Sequence, residues 1–153
     1  MTEAIDMVQG VVIQDLRVIS DDRGAVLHMM RCDSPLFTRF GEIYFSEVNP
    51  GQVKAWKLHA EMTQRFAVPV GRLRFAIFDQ RPDSGTFGNV MFVELGRPDA
   101  YRLLLIPPGL WYGFGNPAEG PSVLANCADL PHAPAESHQV PATSPGFPSC
   151  WPA

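Results

Sequence analysis

Apolar residues recur along this chain in short runs of about 5–8 residues, separated by clusters of Gly, Pro, Asn, Asp and Ser. The runs predict ten strands: Val11–Ile19, Ala25–Arg31, Glu42–Val48, Val53–His59, Gln64–Val70, Arg72–Phe78, Val90–Leu95, Tyr101–Ile106, Leu110–Gly115 and Ser122–Cys127. Between them stand turn residues, among them Asn49-Pro50-Gly51, Gly71, Pro82–Gly85 and Pro107-Pro108-Gly109. Glycine supplies positive φ in such turns, and proline ends ladder pairing. No segment of about 12 residues carries a helical repeat, so the crossover helices of a parallel α/β sheet are missing. Regularly spaced short strands predict an all-β protein, either a barrel or a double-sheet jelly roll.

The end of the chain has a different pattern. From Pro131 to Ala153 it is rich in Pro, Ser and Ala, with prolines at 131, 134, 141, 145, 148 and 152. That composition predicts an irregular tail, residues 131–153, after a barrel domain of residues 1–130. Phe147 and Trp151 are too apolar for a plain linker; they predict docking onto the barrel or onto a second subunit, and a frayed tail is the other reading.

Length and composition narrow the choices. A chain of 153 residues fits one domain with a sizeable core. The net charge of -4 and the lack of any Lys/Arg run argue against nucleic acid as a partner, while a local arginine cluster can still hold a phosphate. No apolar run approaches the roughly 20 residues that span a bilayer, so no membrane partner is expected. The first six residues, Met1 to Asp6, lack a basic start and an apolar stretch, and the expected location is cytoplasmic. Cys32, Cys127 and Cys150 are odd in number and far apart, which favours free thiols.

The chemistry concentrates around His59. In an extended strand alternate residues share a face, so Lys57, His59 and Glu61 form one stripe and Trp56 and Leu58 the other. Such a stripe is costly to bury unless it is hydrogen-bonded or lines a cavity. A solvent-exposed strand face is the bland alternative. Gln64 and Arg65 open the next strand and add polar groups nearby. Asp79, Arg81 and Ser84 follow an apolar strand, either as part of a site or as a plain turn. Tyr112, between Trp111 and Gly113, is either a packed core residue or a proton donor. A metal site is not expected: His59 and Glu61 are the only local ligand types, and His28, His132 and His138 lack partners at ligand spacing.

Three pieces, Lys54–His59, Asp79–Gly88 and Pro107–Phe114, resemble the sugar-nucleotide cupins related to dTDP-4-dehydrorhamnose 3,5-epimerase. Arg23-Gly24 after an acidic pair adds a fourth match, and the resemblance spans Asp21–Glu136. It implies a cupin-type jelly-roll barrel, a homodimer, no cofactor and no metal. It also implies a histidine that removes the proton beside a 4-keto group, a tyrosine that returns one from the opposite face, and arginines and a glutamine that bind the nucleotide diphosphate. A related branch, the sugar 3,4-ketoisomerases, has His-x-His where Lys57 and His59 stand. Tyr112 replaces a histidine of the later motif. The tyrosine pair of the family has no match near Asn126 and Pro131-His132, and the carboxylate that supports the base histidine has no match in the tail.

The resulting expectation is a metal-independent epimerase or isomerase of a nucleotide-linked 4-keto-deoxysugar, its small-molecule partner. His59, Lys57 and Tyr112 are the catalytic candidates, and Arg23, Lys54, Gln64, Arg65 and Arg81 the substrate-binding candidates. Two other readings stay open. One is a different acid/base reaction, cyclisation or dehydration, on a non-sugar metabolite. The other is a cupin that binds a ligand without catalysis.

Overall fold

The structure, a computed structural model, describes residues 7–151. Both the hexapeptide read above for targeting and Pro152 lie outside them. Among the described residues there are twelve strands and one 3-10 turn: β1 (Val12–Asp15), β2 (Val18–Asp21), β3 (Gly24–Leu27), β4 (Glu42–Val48), β5 (Val53–His59), β6 (Gln64–Val70), β7 (Arg72–Phe78), β8 (Val90–Gly96), β9 (Arg102–Ile106), β10 (Trp111–Gly115), β11 (Ser122–Ala128), the turn Pro134–Glu136, and β12 (Ser137–Gln139). Two five-stranded sheets face each other, ordered β1-β9-β6-β11-β4 and β12-β5-β10-β7-β8, and β2-β3 form a separate hairpin. Every pairing is antiparallel. The molecule is a cupin jelly roll.

The period-two pattern explains the two layers. Phe66 and Val68 of β6, Leu73, Phe75 and Ile77 of β7, Leu104 and Ile106 of β9, and Phe114 of β10 point between the sheets into one buried cluster. The rings of Phe66, Phe75 and Phe114 meet edge-on or tilted at 5.2–6.2 Å. At about 25 cal/mol per Å² of apolar surface removed from water, this cluster supplies the main drive for closing one sheet on the other.

Three expectations from the sequence need correction. The strand read as Ala25–Arg31 ends at Leu27. Val11–Ile19 is two strands rather than one. The chain leaves the sheet after Asp15, where Leu16 N–H donates to the Tyr101 carbonyl (3.1 Å), and His28 N–H then takes the Arg17 carbonyl (2.9 Å) to start the hairpin. The tail is also not irregular throughout. Pro134 opens the 3-10 turn, where a missing N–H costs little. Ser137-His138-Gln139 contains no proline and pairs with the edge of β5, Ser137 opposite His59 and Gln139 opposite Lys57. The prolines flank this strand instead of interrupting it.

Beyond β12 the tail crosses the outer face of the second sheet. Val140, Phe147, Cys150 and Trp151 pack on Trp56, Ala76 and Phe78. Phe147 meets Trp111 at 5.1 Å, Phe78 at 5.6 Å and Trp56 at 5.7 Å, and Trp151 meets Trp56 at 5.7 Å. The tail thus docks on its own barrel.

Candidate active site

A cavity of about 760 Å³ opens between the sheets at the end where β4, β5, β10 and β12 meet. His59 reaches it from the last position of β5 and is 4% exposed. Glu136, on the turn before β12, hydrogen-bonds His59 Nδ1 through Oε1. The other carboxylate oxygen accepts the backbone N–H groups of Glu61 and Met62, each at 3.2 Å. Tyr112 Oη lies 3.1 Å from His59 Nε2, with the two rings nearly parallel at 13°.

The local backbone makes this arrangement possible. Gly113 follows Tyr112 in β10, and a Cβ there would sit 2.4 Å from the Ala55 Cβ. Only glycine lets β10 close so tightly on β5. The register between these strands shifts at the same place, between Tyr112 and Phe114. Such a bulge re-aims the side chain beside it. Gly109 N–H donates to the His59 carbonyl at 2.8 Å and pins the end of the strand.

The protonation states follow from the surroundings. Burial lowers the His59 pKa below its ordinary value and outweighs the hydrogen bond and charge of Glu136, so the ring is neutral near pH 7. Burial alone would raise the Glu136 carboxyl, but the bonds from His59, Glu61 and Met62 pull it down, and it is ionised. Burial, with Tyr44 and Glu136 nearby, pushes the Tyr112 phenol well above its usual range. A carboxylate can only accept, so the hydrogen-bond partners assign the proton to Nδ1 and leave the Nε2 lone pair as acceptor. This is a neutral imidazole base, backed by a carboxylate and oriented toward a cavity.

Lys57 lines the cavity beside Tyr112, its ladder partner, as the strand stripe predicted. Glu61 does not: it falls beyond the end of β5, exposed, and contributes its backbone N–H. Of the five binding candidates, Lys54 alone lines the cavity, with Nζ donating to Ser46 Oγ (2.8 Å) and the Glu47 carbonyl (2.9 Å). Gln64 lies inside the barrel, bonded to Asn126. Arg65 alternates to the other face of β6, where it donates to the Leu36 carbonyl and Thr38 Oγ1. Arg81 is clamped on Asp79 with Ser84 and the Gln9 carbonyl. Burial works against the Asp79 charge, yet bonds from Arg81, Ser84 and Thr86 hold its pKa well below the usual range, so this cluster is a structural turn. Arg23 pairs with Asp21 at the exposed hairpin tip. Among the described residues no three His, Cys, Asp or Glu side chains converge to hold a metal ion.

Sequence reasoning missed Glu136 and Tyr44. The absent supporting carboxylate is thereby corrected: Glu136 fills that place from the Pro-rich tail, 77 residues from His59. No local pattern marks it. Tyr44 did leave a signal, because β4 alternates Glu42, Tyr44 and Ser46 toward the cavity with Ile43 and Phe45 outward.

The fold and the carboxylate-backed histidine define a cupin with an acid/base site. No family model matches this chain. A dTDP sugar isomerase from Desulfovibrio desulfuricans G20 is 51% identical and superposes with a TM-score of 0.90 over 94% of this chain and 91% of that one. The spore coat polysaccharide biosynthesis protein SpsL of Bacillus subtilis is 31% identical over 128 residues, 84% of each chain. The probable low-salt glycan biosynthesis epimerase Agl13 of Haloferax volcanii is 33% identical over 121 residues, 78% of this chain and 77% of that one. The chain belongs to the family of these sugar epimerases and isomerases. It is an enzyme of that kind, and the readings as a non-sugar cyclase or a non-catalytic binder are not favoured.

Proposed function

We propose that this enzyme moves a proton at the carbon next to the keto group of a dTDP-linked 4-keto-deoxysugar, yielding its epimer or isomer for glycan or polysaccharide assembly. One observation carries this reading: a buried, neutral His59 has its Nδ1–H tied to the Glu136 carboxylate and its Nε2 turned to the cavity. The neutral base takes the carbon-bound proton, the electron pair moves onto the carbonyl oxygen, and Glu136 stabilises the imidazolium that forms. Lys57 supplies a cation for the enolate oxygen. Tyr112 holds Nε2 in the resting site and yields to the substrate. Lys54 still has one N–H free, since Nζ carries three and two are engaged, and that donor suits the diphosphate.

The test is turnover of dTDP-4-keto-6-deoxyglucose in deuterated water, read by NMR. The expected result is deuterium entering at C3 or C5, slowed at least about 100-fold by His59→Gln. No exchange in a wild-type protein that still binds dTDP overturns the reading.

We further propose a cytoplasmic homodimer. The three free thiols, Cys32, Cys127 and Cys150, suit a reducing compartment. Strand β4 is a sheet edge whose outward Ile43 and Phe45 are 53% and 69% exposed, an apolar face that a second copy would cover.

A further inference from the structure

A cavity that takes an anionic ligand carries one acid on its wall. Its lysine, imidazole and carboxylate lining groups are Lys54, Lys57, His59, His132 and Glu42, so Glu42 is the single carboxylate there among the described residues. The alternation that turns Tyr44 and Ser46 inward places Glu42 inward as well, at the first position of β4. The residue is half-buried. Glu136 and Asp79, the other shielded acids, have their oxygens engaged by His59, Arg81, hydroxyls or backbone N–H groups. No such bond or ion pair holds the Glu42 oxygens among the described residues.

Strand directions put this acid at a definite end of the cavity. Ser46 Oγ accepts from Lys54 Nζ at 2.8 Å, so the later part of β4 lies against the start of β5. Glu42 opens β4 and His59 closes β5, and both therefore stand at the other end. At about 3.3 Å per residue, Glu42 is roughly 13 Å from Ser46 along its strand and His59 roughly 16 Å from Lys54 along its own. Tyr44 stands between Glu42 and Ser46 on the same wall. Burial raises its pKa, the Asn126 bond opposes the rise, and the nearby Glu42 charge adds to it. The cavity is polarised: the free Lys54 N–H faces a diphosphate at one end, and the base and the acid share the other.

We propose that Glu42 is a specificity-determining residue: it accepts hydrogen bonds from ring hydroxyls of the sugar and so selects a substrate whose hydroxyls are free. The inference rests on the sugar reading above and deepens it by naming what the sugar must carry. A carboxylate can only accept, and it repels a diphosphate. An acid on this wall therefore gains from such a ligand only through donors on the sugar. In dTDP-4-keto-6-deoxyglucose C1 carries the nucleotide, C4 is the ketone, C5 bears the ring oxygen and C6 is a methyl group. The remaining donors are the neighbouring hydroxyls at C2 and C3, which the two oxygens of one carboxylate can take together. A charged acceptor makes such bonds stronger than neutral ones. A sugar without these hydroxyls leaves Glu42 shielded from water and unpaired, which is how a polar site rejects an analogue. No proton moves in this role; Glu42 holds the ring while His59 acts on it.

The experiment is titration calorimetry of wild type, Glu42→Gln and Glu42→Ala with two ligands, dTDP and dTDP-quinovose. The second keeps the 6-deoxy ring and its hydroxyls but has no ketone, so binding is read without reaction. Glu42→Ala should weaken dTDP-quinovose at least about 10-fold and leave dTDP within about 2-fold of wild type. Glu42→Gln keeps one acceptor oxygen and should lose less than Glu42→Ala. The unchanged dTDP affinity doubles as the check that both variants are folded. With dTDP-4-keto-6-deoxyglucose, Glu42→Ala should raise KM and change kcat little. Affinity of Glu42→Ala for dTDP-quinovose within about 2-fold of wild type overturns the assignment, as does a parallel change for both ligands, which marks a general effect of charge. Wild-type protein that binds neither ligand refutes the sugar reading itself, and this inference with it.

Discussion

Glu136 decides what His59 can do. It keeps the Nδ1–H tautomer, aims Nε2 at the cavity and raises the basicity that burial lowers. It is a positioning residue, so its loss should act through the histidine. Glu136→Gln is expected to lower kcat roughly 100-fold with KM little changed. The acid limb of its kcat/KM profile should lie at lower pH than in the wild type, because a charge favouring the imidazolium is gone. Wild-type activity should itself fade only below pH 6.5, the ordinary histidine value, as His59 takes up a proton in the free enzyme. A pH series on both proteins checks this, and an unshifted limb with normal kcat would refute the positioning role.

At the scale of elements, the tail does two jobs. Its first part places Glu136 and adds β12 to the edge of β5, and its last part seals the outer face of the same sheet with Phe147 and Trp151. Phe147 touches Trp56, Phe78 and Trp111 together. Phe147→Ala should cost about 2 kcal/mol, since the ring is half-buried and full burial would cost about 3–5. For a chain of this size that is roughly 4–8 °C in Tm, measurable by scanning calorimetry. A change under about 1 °C would mean the tail does not hold the sheet. β4 carries the complementary argument. Its polar residues face inward and its apolar ones outward, the reverse of an ordinary half-buried strand, which fits a wet cavity on one side and a covered interface on the other. Sedimentation velocity should give twice the chain mass, and Phe45→Glu should give the monomer.

For the whole molecule, three buried acid/base groups point in one direction. His59, Glu136 and Asp79 all have pKa values lowered from 6.5, 4.5 and 3.8 in the folded state. The unfolded chain binds these protons more readily, so folding weakens as pH falls. Stability should be level between about pH 7 and 8, decline as pH passes below 6.5 through His59, and fall further below 4.5 as Glu136 and then Asp79 take up protons. Thermal melts between pH 8 and 3 check the order. A Tm that rises from pH 7 to 5 would contradict it.

The local pattern carried much of this protein. Period-two runs and turn residues located the strands from Glu42 to Ala128 with ends shifted by a residue at most, because a strand buried on one face writes its own alternation. The same alternation put Lys57 and His59 on one face and Trp56 on the other. What it could not carry was anything that depends on residues far apart in the chain meeting. Arg65, Arg81 and Gln64 look like ligand-binding groups by type, but Asp79, Asn126 and the segment around Leu36 engage them elsewhere. Glu136 looks like a surface glutamate in a Pro-rich tail until β12 docks on β5. The strands from Glu42 to Ala128 and the shared face of Lys57 and His59 were determined by the sequence alone. The carboxylate bonded to His59 and the cavity the histidine faces were decided only by the closing of two sheets and the return of the tail, because a hydrogen bond depends on distance in space and a strand pattern records only distance along the chain.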